Sequence, residues 1–374
     1  MSCCKSSNME SIDYSGSHLI LESDKVQPGE IQWRSPSNIA IVKYWGKHGR
    51  QIPRNPSISA TLSQAYTETR LEWTTVSGHP QPNGLQLEFL FEGNAQPQFE
   101  TRVRDYLTSI LPELPFLKQL KLKIYSHNSF PHSSGIASSA SAMSALALCL
   151  CSLEDRLFGT LSDDDAFDRK ASYLSRLGSG SAARSIFGHW AMWGRSGELP
   201  GSHDEYAIPL TENIHDSFLN MHDAILIVSA DEKAVSSSAG HGLMEGHAYA
   251  SARYTQARQR LIRLLAALRQ GEWGDFGALA ENEALTLHGL MMCSEPSYQL
   301  MQPATIDIIS TIRRWREEEH LPVFFTLDAG PNVHVLYPDS EASIIKKKLK
   351  EECAPLCQGE RIIFDKVGNG PEEL

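Results

Sequence analysis

No CxxC pair occurs in this 374-residue chain. Its seven cysteines (Cys3, Cys4, Cys149, Cys151, Cys293, Cys353 and Cys357) are odd in number and scattered. That pattern supports neither a zinc site nor a disulfide framework and reads as the reduced thiols of a cytoplasmic protein. No apolar run approaches the ~20 residues that a membrane-spanning helix needs. Residues 1–27 hold no apolar segment and read as a loose leader, not a secretory signal. Positive charge is not in excess: 34 Lys and Arg stand against 45 Asp and Glu, a net charge of -11. This argues against nucleic-acid and anionic-membrane partners, while leaving room for a local basic site for an anionic metabolite. There is no repeat of fixed period and no GxxxxGK[ST] phosphate loop. "GSGSAA" (178–183) formally fits GxGxxA, but it follows the helical-looking "ASYLSRL" where a dinucleotide fold requires a strand.

What is present is an ordinary globular composition, 41% hydrophobic and 21% charged, in a chain long enough for two domains. Residues 30–46 read as a strand, a Ser-Pro turn and a second strand. "LEWTTV" and "LQLEFLFEG" read as a strand pair, and "LKLKIYSHNSF" alternates as a further strand. Helical spacing covers 99–112, the stretch after Ser138, 163–177, 240–270, 272–292, 303–319 and 343–353. "SIFGHWAMW", "HDAILIVSA", "RIIFDKV" and the two halves of "LPVFFTLDAGPNVHVLYP" read as strands. Helices and strands mix without a strict βαβ rhythm, so the expected class is α+β. The Gly-, Ser- and Pro-rich stretch 195–206 is the expected boundary between domains at 28–205 and 206–374.

Four stretches could carry chemistry. "SFPHSSGIASSASA" (129–142) sits between a strand and a helix. Gly135 permits a tight turn, small side chains leave backbone N–H groups uncovered, and the following helix offers unpaired donors to an anion. On this stretch alone, a phosphate-holding loop and a plain serine N-cap both remain open. "NIAIVKYWGKHG" (38–49) places Lys43 and Lys47 around Tyr44 and Trp45, suited to an anion or simply to a solvated surface. "LGSGSAARSIFG" (177–188) offers Arg184, a planar fork for carboxylate or phosphate, or a glycine-hinged helix start. "FFTLDAGPNVHVL" (324–336) places Asp328 at a strand break, as a turn cap or as a base aimed into a cleft.

Together "SNIAIVKYWGK", "PHSSGIASSASA", "GSGSAARS", "VSSSAG" (235–240) and "TLDAGPNV" resemble, in order and spacing, the mevalonate diphosphate decarboxylases, and the loop resembles that of the wider superfamily of galactokinase, homoserine kinase and mevalonate kinase. The resemblance runs from about Gln32 to Tyr337. It implies a two-domain GHMP-kinase-like α+β fold, with an N-terminal unit like ribosomal protein S5 and a ferredoxin-like C-terminal unit. It implies ATP-dependent decarboxylation of mevalonate 5-diphosphate to isopentenyl diphosphate, in a homodimer, with Mg²⁺ arriving on ATP. By the same resemblance Asp328 would act near the 3-hydroxyl, Lys43 beside it, and Arg184 on the substrate carboxylate. Tyr44, Trp45, Lys47, Ser179, Gly180, Ser181 and Ser238 would seat the diphosphate. Ser129, His132, Ser133, Ser134, Gly135, Ile136, Ala137, Ser138 and Ser139 would hold ATP, with Ser139 facing the transferred phosphate and being the protein oxygen open to Mg²⁺. His132-Ser133-Ser134 stands where many members carry Thr-Ala-Ala, and Ile136 where leucine is usual. A monophosphate decarboxylase, a 3-kinase of the same fold or a non-catalytic sensor are the alternatives. A sensor should have lost a charged residue, and Lys43, Arg184 and Asp328 are all present.

Overall fold

Alternation shapes the larger sheet. In Leu120–Asn128 every second residue (Leu120, Leu122, Ile124, Ser126, Asn128) is buried, and Ser57–Thr75 alternates in the same way from Ala65 to Trp73. Residues 13–22, 26–76, 84–130, 138–210, 212, 214–231 and 235–374 are described by the computed structural model. Within them the larger sheet has eight strands. Its main path runs Glu372–Glu373, Gly29–Val42, Ser57–Thr75, Leu120–Asn128, Gln86–Phe91, Asn94–Ala95. Trp190–Trp193 also pairs with Ser57–Thr75, and Ala207–Pro209 pairs with Trp190–Trp193.

Two expectations change here. Residues 30–46 do not turn between two strands. Gly29–Val42 is one strand whose register slips between Pro36 and Asn38, because proline cannot donate to the ladder and a bulge absorbs it. "LEWTTV" and "LQLEFLFEG" are not partners. Leu120–Asn128 lies between them, antiparallel to Ser57–Thr75 and parallel to Gln86–Phe91. The helix Pro97–Ser109 follows Gln86–Phe91 and leads the chain back towards Leu120–Asn128, a crossover of the kind parallel pairing requires.

The helix Ser138–Phe158 covers this sheet. Its small residues permit close approach, so hydroxyls meet across the interface: Ser35 Oγ to Ser144 Oγ at 2.5 Å, and Thr67 Oγ1 to Ser141 Oγ at 2.7 Å. Asp163 caps the helix Asp164–Gly178 by accepting from the Ala166 N–H at 2.9 Å. Residues 13–22, expected within a loose leader, are docked. Leu19 is fully buried in this core, and Gly16 N–H donates to the Pro112 carbonyl.

The smaller sheet is wholly antiparallel, in the order Phe324–Thr326, Val333–Tyr337, His222–Leu226, Ile362–Lys366. The helices Ala250–Gln270, Trp273–Met292 and Pro303–Glu319 accompany it, and residues 243–249 separate the first of these from the short helix Ser237–Gly242. The last expected helix breaks after Lys348 into a π-turn, Leu349–Cys353. Apolar packing crosses between the sheets: Ile39, Ile41 and Ile58 of the larger share a core with Ile225, Leu264 and Phe276. Stretch 195–206 connects two paired strands of the larger sheet, which continues to Pro209. Among the described residues no helix is long and apolar enough to cross a membrane.

Candidate active site

A cavity of about 830 Å³ opens between the two sheets. Lys43 reaches it from the end of Gly29–Val42, and Asp328 from the break after Phe324–Thr326. Arg184 comes from the 3-10 turn Gly180–Ile186, and Ser138 and Ser139 from the first turn of the helix Ser138–Phe158.

Lys43 Nζ donates to Asp328 Oδ1 at 2.8 Å. The lysine is buried, while the carboxylate keeps 26% of its side-chain surface open. The Lys43 backbone is held at both polar atoms. Its N–H donates to Glu283 Oε2 at 2.9 Å, and its carbonyl accepts from Arg253 Nη2 at 3.1 Å and Asn55 Nδ2 at 3.0 Å. Glu283 is fully buried and also takes both Nη groups of Arg253 at 2.6 Å and Arg260 Nη1 at 2.8 Å. Burial pushes the Glu283 carboxyl up, but these donors outweigh it and leave its pKa below the ordinary range. His288, on the same helix as Glu283, shares a hydrogen bond with the Asp328 carbonyl at 3.1 Å.

Arg184 is buried, and three of its N–H groups rest on neutral acceptors: Nε on Ser59 Oγ at 2.9 Å, Nη1 on Ser57 Oγ at 2.6 Å, Nη2 on Asn38 Oδ1 at 3.2 Å. Burial drives its pKa down to about 10, with the charge of Asp328 opposing that shift. A buried guanidinium with neutral partners and a cavity in front of it is a ready anion site.

Beside it, the Tyr44 hydroxyl is buried with no hydrogen-bond partner among the described residues, and burial raises its pKa. Gly180 makes room for that ring, since a Cβ there would lie 2.8 Å from Tyr44 Cε1 and 2.9 Å from Trp193 Cη2. Lys47 donates to Gln51 Oε1 at 2.8 Å, and partial burial lowers its pKa. Ser139 and Ser179 share a hydrogen bond at 3.1 Å.

Of the residues singled out from sequence, Lys43, Tyr44, Trp45, Lys47, Ser138, Ser139, Ser179, Gly180, Ser181, Arg184, Ser238 and Asp328 line this one cavity. Ser129 does not. Its Oγ donates to the Gln64 carbonyl at 2.6 Å and accepts from the Tyr66 N–H at 2.9 Å, tying the strand end to its neighbour. His132, Ser133, Ser134, Gly135, Ile136 and Ala137 lie outside the described residues. Sequence reasoning missed Asn38, His241, Arg253, Arg260, Glu283 and His288. Asn38 lies inside a quoted motif and His241 directly follows one, whereas Glu283 and Arg253 sit in unremarkable helical sequence. Phe89, Phe91, Phe99 and Tyr106 give another part of the cavity an aromatic wall.

Among the described residues no three His, Cys, Asp or Glu side chains form a metal cage. The oxygens at the cavity include serine hydroxyls, side-chain amides and the carboxylates of Asp105 and Asp328, hard donors that suit Mg²⁺ carried on phosphates better than a resident soft metal.

Residues 35–207 match the diphosphomevalonate decarboxylase-like N-terminal domain, and 224–370 the mevalonate 5-diphosphate decarboxylase C-terminal domain. The diphosphomevalonate decarboxylase of Eremothecium gossypii is 31% identical over 323 residues, covering 81% of this chain and 76% of that one. The mevalonate diphosphate decarboxylase of Staphylococcus aureus matches at TM-score 0.77 and 28% identity, covering 93% of this chain and 98% of that one. A complex of MDDEF with MVAPP, AMPPCP and magnesium matches at TM-score 0.76 and 27% identity, covering 93% and 99%.

Proposed function

Because this chain belongs to the diphosphomevalonate decarboxylase family, with its two-domain GHMP-kinase-like fold, we propose that the cavity performs that family's reaction. ATP and mevalonate 5-diphosphate give ADP, phosphate, CO2 and isopentenyl diphosphate. A tertiary hydroxyl is a poor leaving group, so ATP first phosphorylates it. The C–O bond to that phosphate then breaks. The electron pair of the C–C bond to the carboxylate forms the new double bond, and CO2 departs.

The observation that carries this reading is the Lys43–Asp328 pair, 2.8 Å apart, lining one cavity with Arg184 and its neutral partners. Asp328 orients the 3-hydroxyl and accepts its proton. The Lys43 ammonium stabilises the carboxylate form. Arg184 clamps the substrate carboxylate with a planar fork. Tyr44, Trp45, Lys47, Ser179, Gly180, Ser181 and Ser238 seat the diphosphate, and Ser138 and Ser139 face the transferred phosphate. Mg²⁺, which neutralises phosphate charge when bound, would be held by the nucleotide with Ser139 as a protein oxygen. Such chemistry is mostly positioning and charge stabilisation, which accounts for hydroxyls and cations where a nucleophile might be sought.

The same reading takes residues 28–205 as the ATP-binding domain and 206–374 as its partner, in a cytoplasmic homodimer. The five described cysteines, all free thiols, support a reducing compartment, and analytical ultracentrifugation checks the dimer. The decisive assay is Mg-ATP with mevalonate 5-diphosphate, measuring CO2 and isopentenyl diphosphate. ADP without CO2 leaves only a kinase. Asp328→Ala is expected to abolish turnover while sparing substrate binding, and near-normal turnover refutes its role.

A further inference from the structure

We infer that His241, by its Nε2–H, is a neutral hydrogen-bond donor to the diphosphate end of the substrate. The inference rests on the reading of Tyr44 and Lys47 as the diphosphate seat and adds a residue to it.

His241 lies in the short helix Ser237–Gly242 and lines the cavity. Its ring is packed on two sides: the Tyr44 centroid is 4.2 Å away and the Trp45 centroid 4.6 Å, at interplanar angles of 39° and 37°. The backbone then selects the tautomer. Gly46 holds a positive φ of 93°, and its N–H donates to His241 Nδ1 at 3.0 Å. A nitrogen that accepts from an N–H carries no proton, so in the neutral ring the proton is on Nε2.

The ring also stays neutral. Burial first, and the nearby Lys47 charge second, hold its pKa down to about 3. A protonated imidazole would place a hydrogen on Nδ1 against the Gly46 N–H, so geometry and electrostatics agree. Nε2 has no hydrogen-bond partner among the described residues. The Tyr44 hydroxyl beside it is likewise without a partner. Buried polar groups are ordinarily satisfied, and those left over in a cavity point to what fills it. Here the leftovers sit among cations, Nε2 with Lys47 nearby and the Tyr44 hydroxyl with Arg184 and Arg176, so the missing partner is an acceptor with negative charge: a phosphate oxygen. A neutral donor adds directionality there without placing another desolvated cation beside Lys47.

Two amide substitutions separate the nitrogens, since an asparagine amide overlays Nδ1 and a glutamine amide overlays Nε2. His241→Asn keeps an acceptor for the Gly46 N–H and removes the donor to the ligand. His241→Gln keeps that donor. Mevalonate 5-diphosphate binding is measured by titration calorimetry, and KM for each substrate by CO2 release. Loss of one hydrogen bond to a charged group predicts a KM and Kd about 10- to 150-fold higher for mevalonate 5-diphosphate in His241→Asn, with KM for ATP unchanged. His241→Gln should stay within about threefold of wild type by the same reasoning. Unchanged binding in a folded His241→Asn overturns the proposal. Equal weakening in both variants also overturns it, because ring packing would then be the cause. If wild type releases no CO2 yet the Asn variant binds more weakly than the Gln variant, the decarboxylase reading falls and the role of His241 stands. If CO2 is released normally and binding ignores His241, the reverse holds.

Discussion

Glu283→Gln tests how the reacting pair is held. The wild-type carboxylate is fully buried, takes two bonds of 2.6 Å from Arg253 and one of 2.8 Å from Arg260, and accepts the Lys43 N–H at 2.9 Å. An amide is nearly the same size, but it leaves the Arg253 guanidinium, 1% exposed, without its counter-charge. Unit charges ~4 Å apart attract by about 4 kcal/mol at an effective dielectric near 20. Breaking one side of a buried pair costs about 3–5 kcal/mol. Arg260, 14% exposed, can turn to water and adds less. At about 2–4 °C per kcal/mol for a domain of this size, melting should fall by roughly 6–20 °C. Because Lys43 is gripped through this cluster, a shift of ~1 Å in its backbone predicts a kcat loss approaching ~100-fold, with little change in KM for ATP. Calorimetric melting and CO2 release read the two effects. The double variant Glu283→Leu with Arg253→Met separates them. Replacing a buried ion pair by apolar residues is often neutral for stability, so melting should recover. Turnover should not, since leucine leaves the Lys43 N–H without its acceptor. Melting of Glu283→Gln within ~2 °C of wild type, or undiminished turnover, would refute the argument.

Two further outcomes concern stability. Folded His241 resists protonation down to about pH 3, whereas the unfolded chain takes that proton near 6.5. Between those values the unfolded state binds more protons, so stability falls as pH falls, by at most ~1.4 kcal/mol per pH unit from this group. His241→Gln should flatten the slope of denaturation midpoint between pH 6 and 4, and an unaltered slope counts against a neutral folded ring. Gly277→Ala would put a Cβ 1.8 Å from Phe324 Cδ1, in a tightly packed interior. Such overpacking is expected to cost about 2–3 kcal/mol, visible as an earlier urea midpoint, and an unshifted midpoint would contradict the packing.

Much of the site is legible in short stretches because its chemistry depends on residue type. Lys43, Arg184 and Asp328 each stand in a local sequence with few uses for such a charge, and their order along the chain carries the family resemblance. The alternation of "LKLKIYSHN" likewise marks Leu120–Asn128 as a strand without reference to anything else. Tertiary structure decided what depends on distant partners. Lys43 meets Glu283 across 240 residues and Asp328 across 285, separations over which no local pattern speaks. Glu283 reads as an ordinary helical acid until burial among two arginines makes it an anchor. The tautomer of His241 follows from a single backbone N–H, at Gly46, brought to it by the fold. The docking of Leu19 and the insertion of Leu120–Asn128 between two expected hairpin strands have the same cause. Sequence by itself determines which groups are available and which elements bury an apolar face. Which group lies against which is settled only when those faces pack, because burial turns an ordinary charge or ring nitrogen into one that must find a partner.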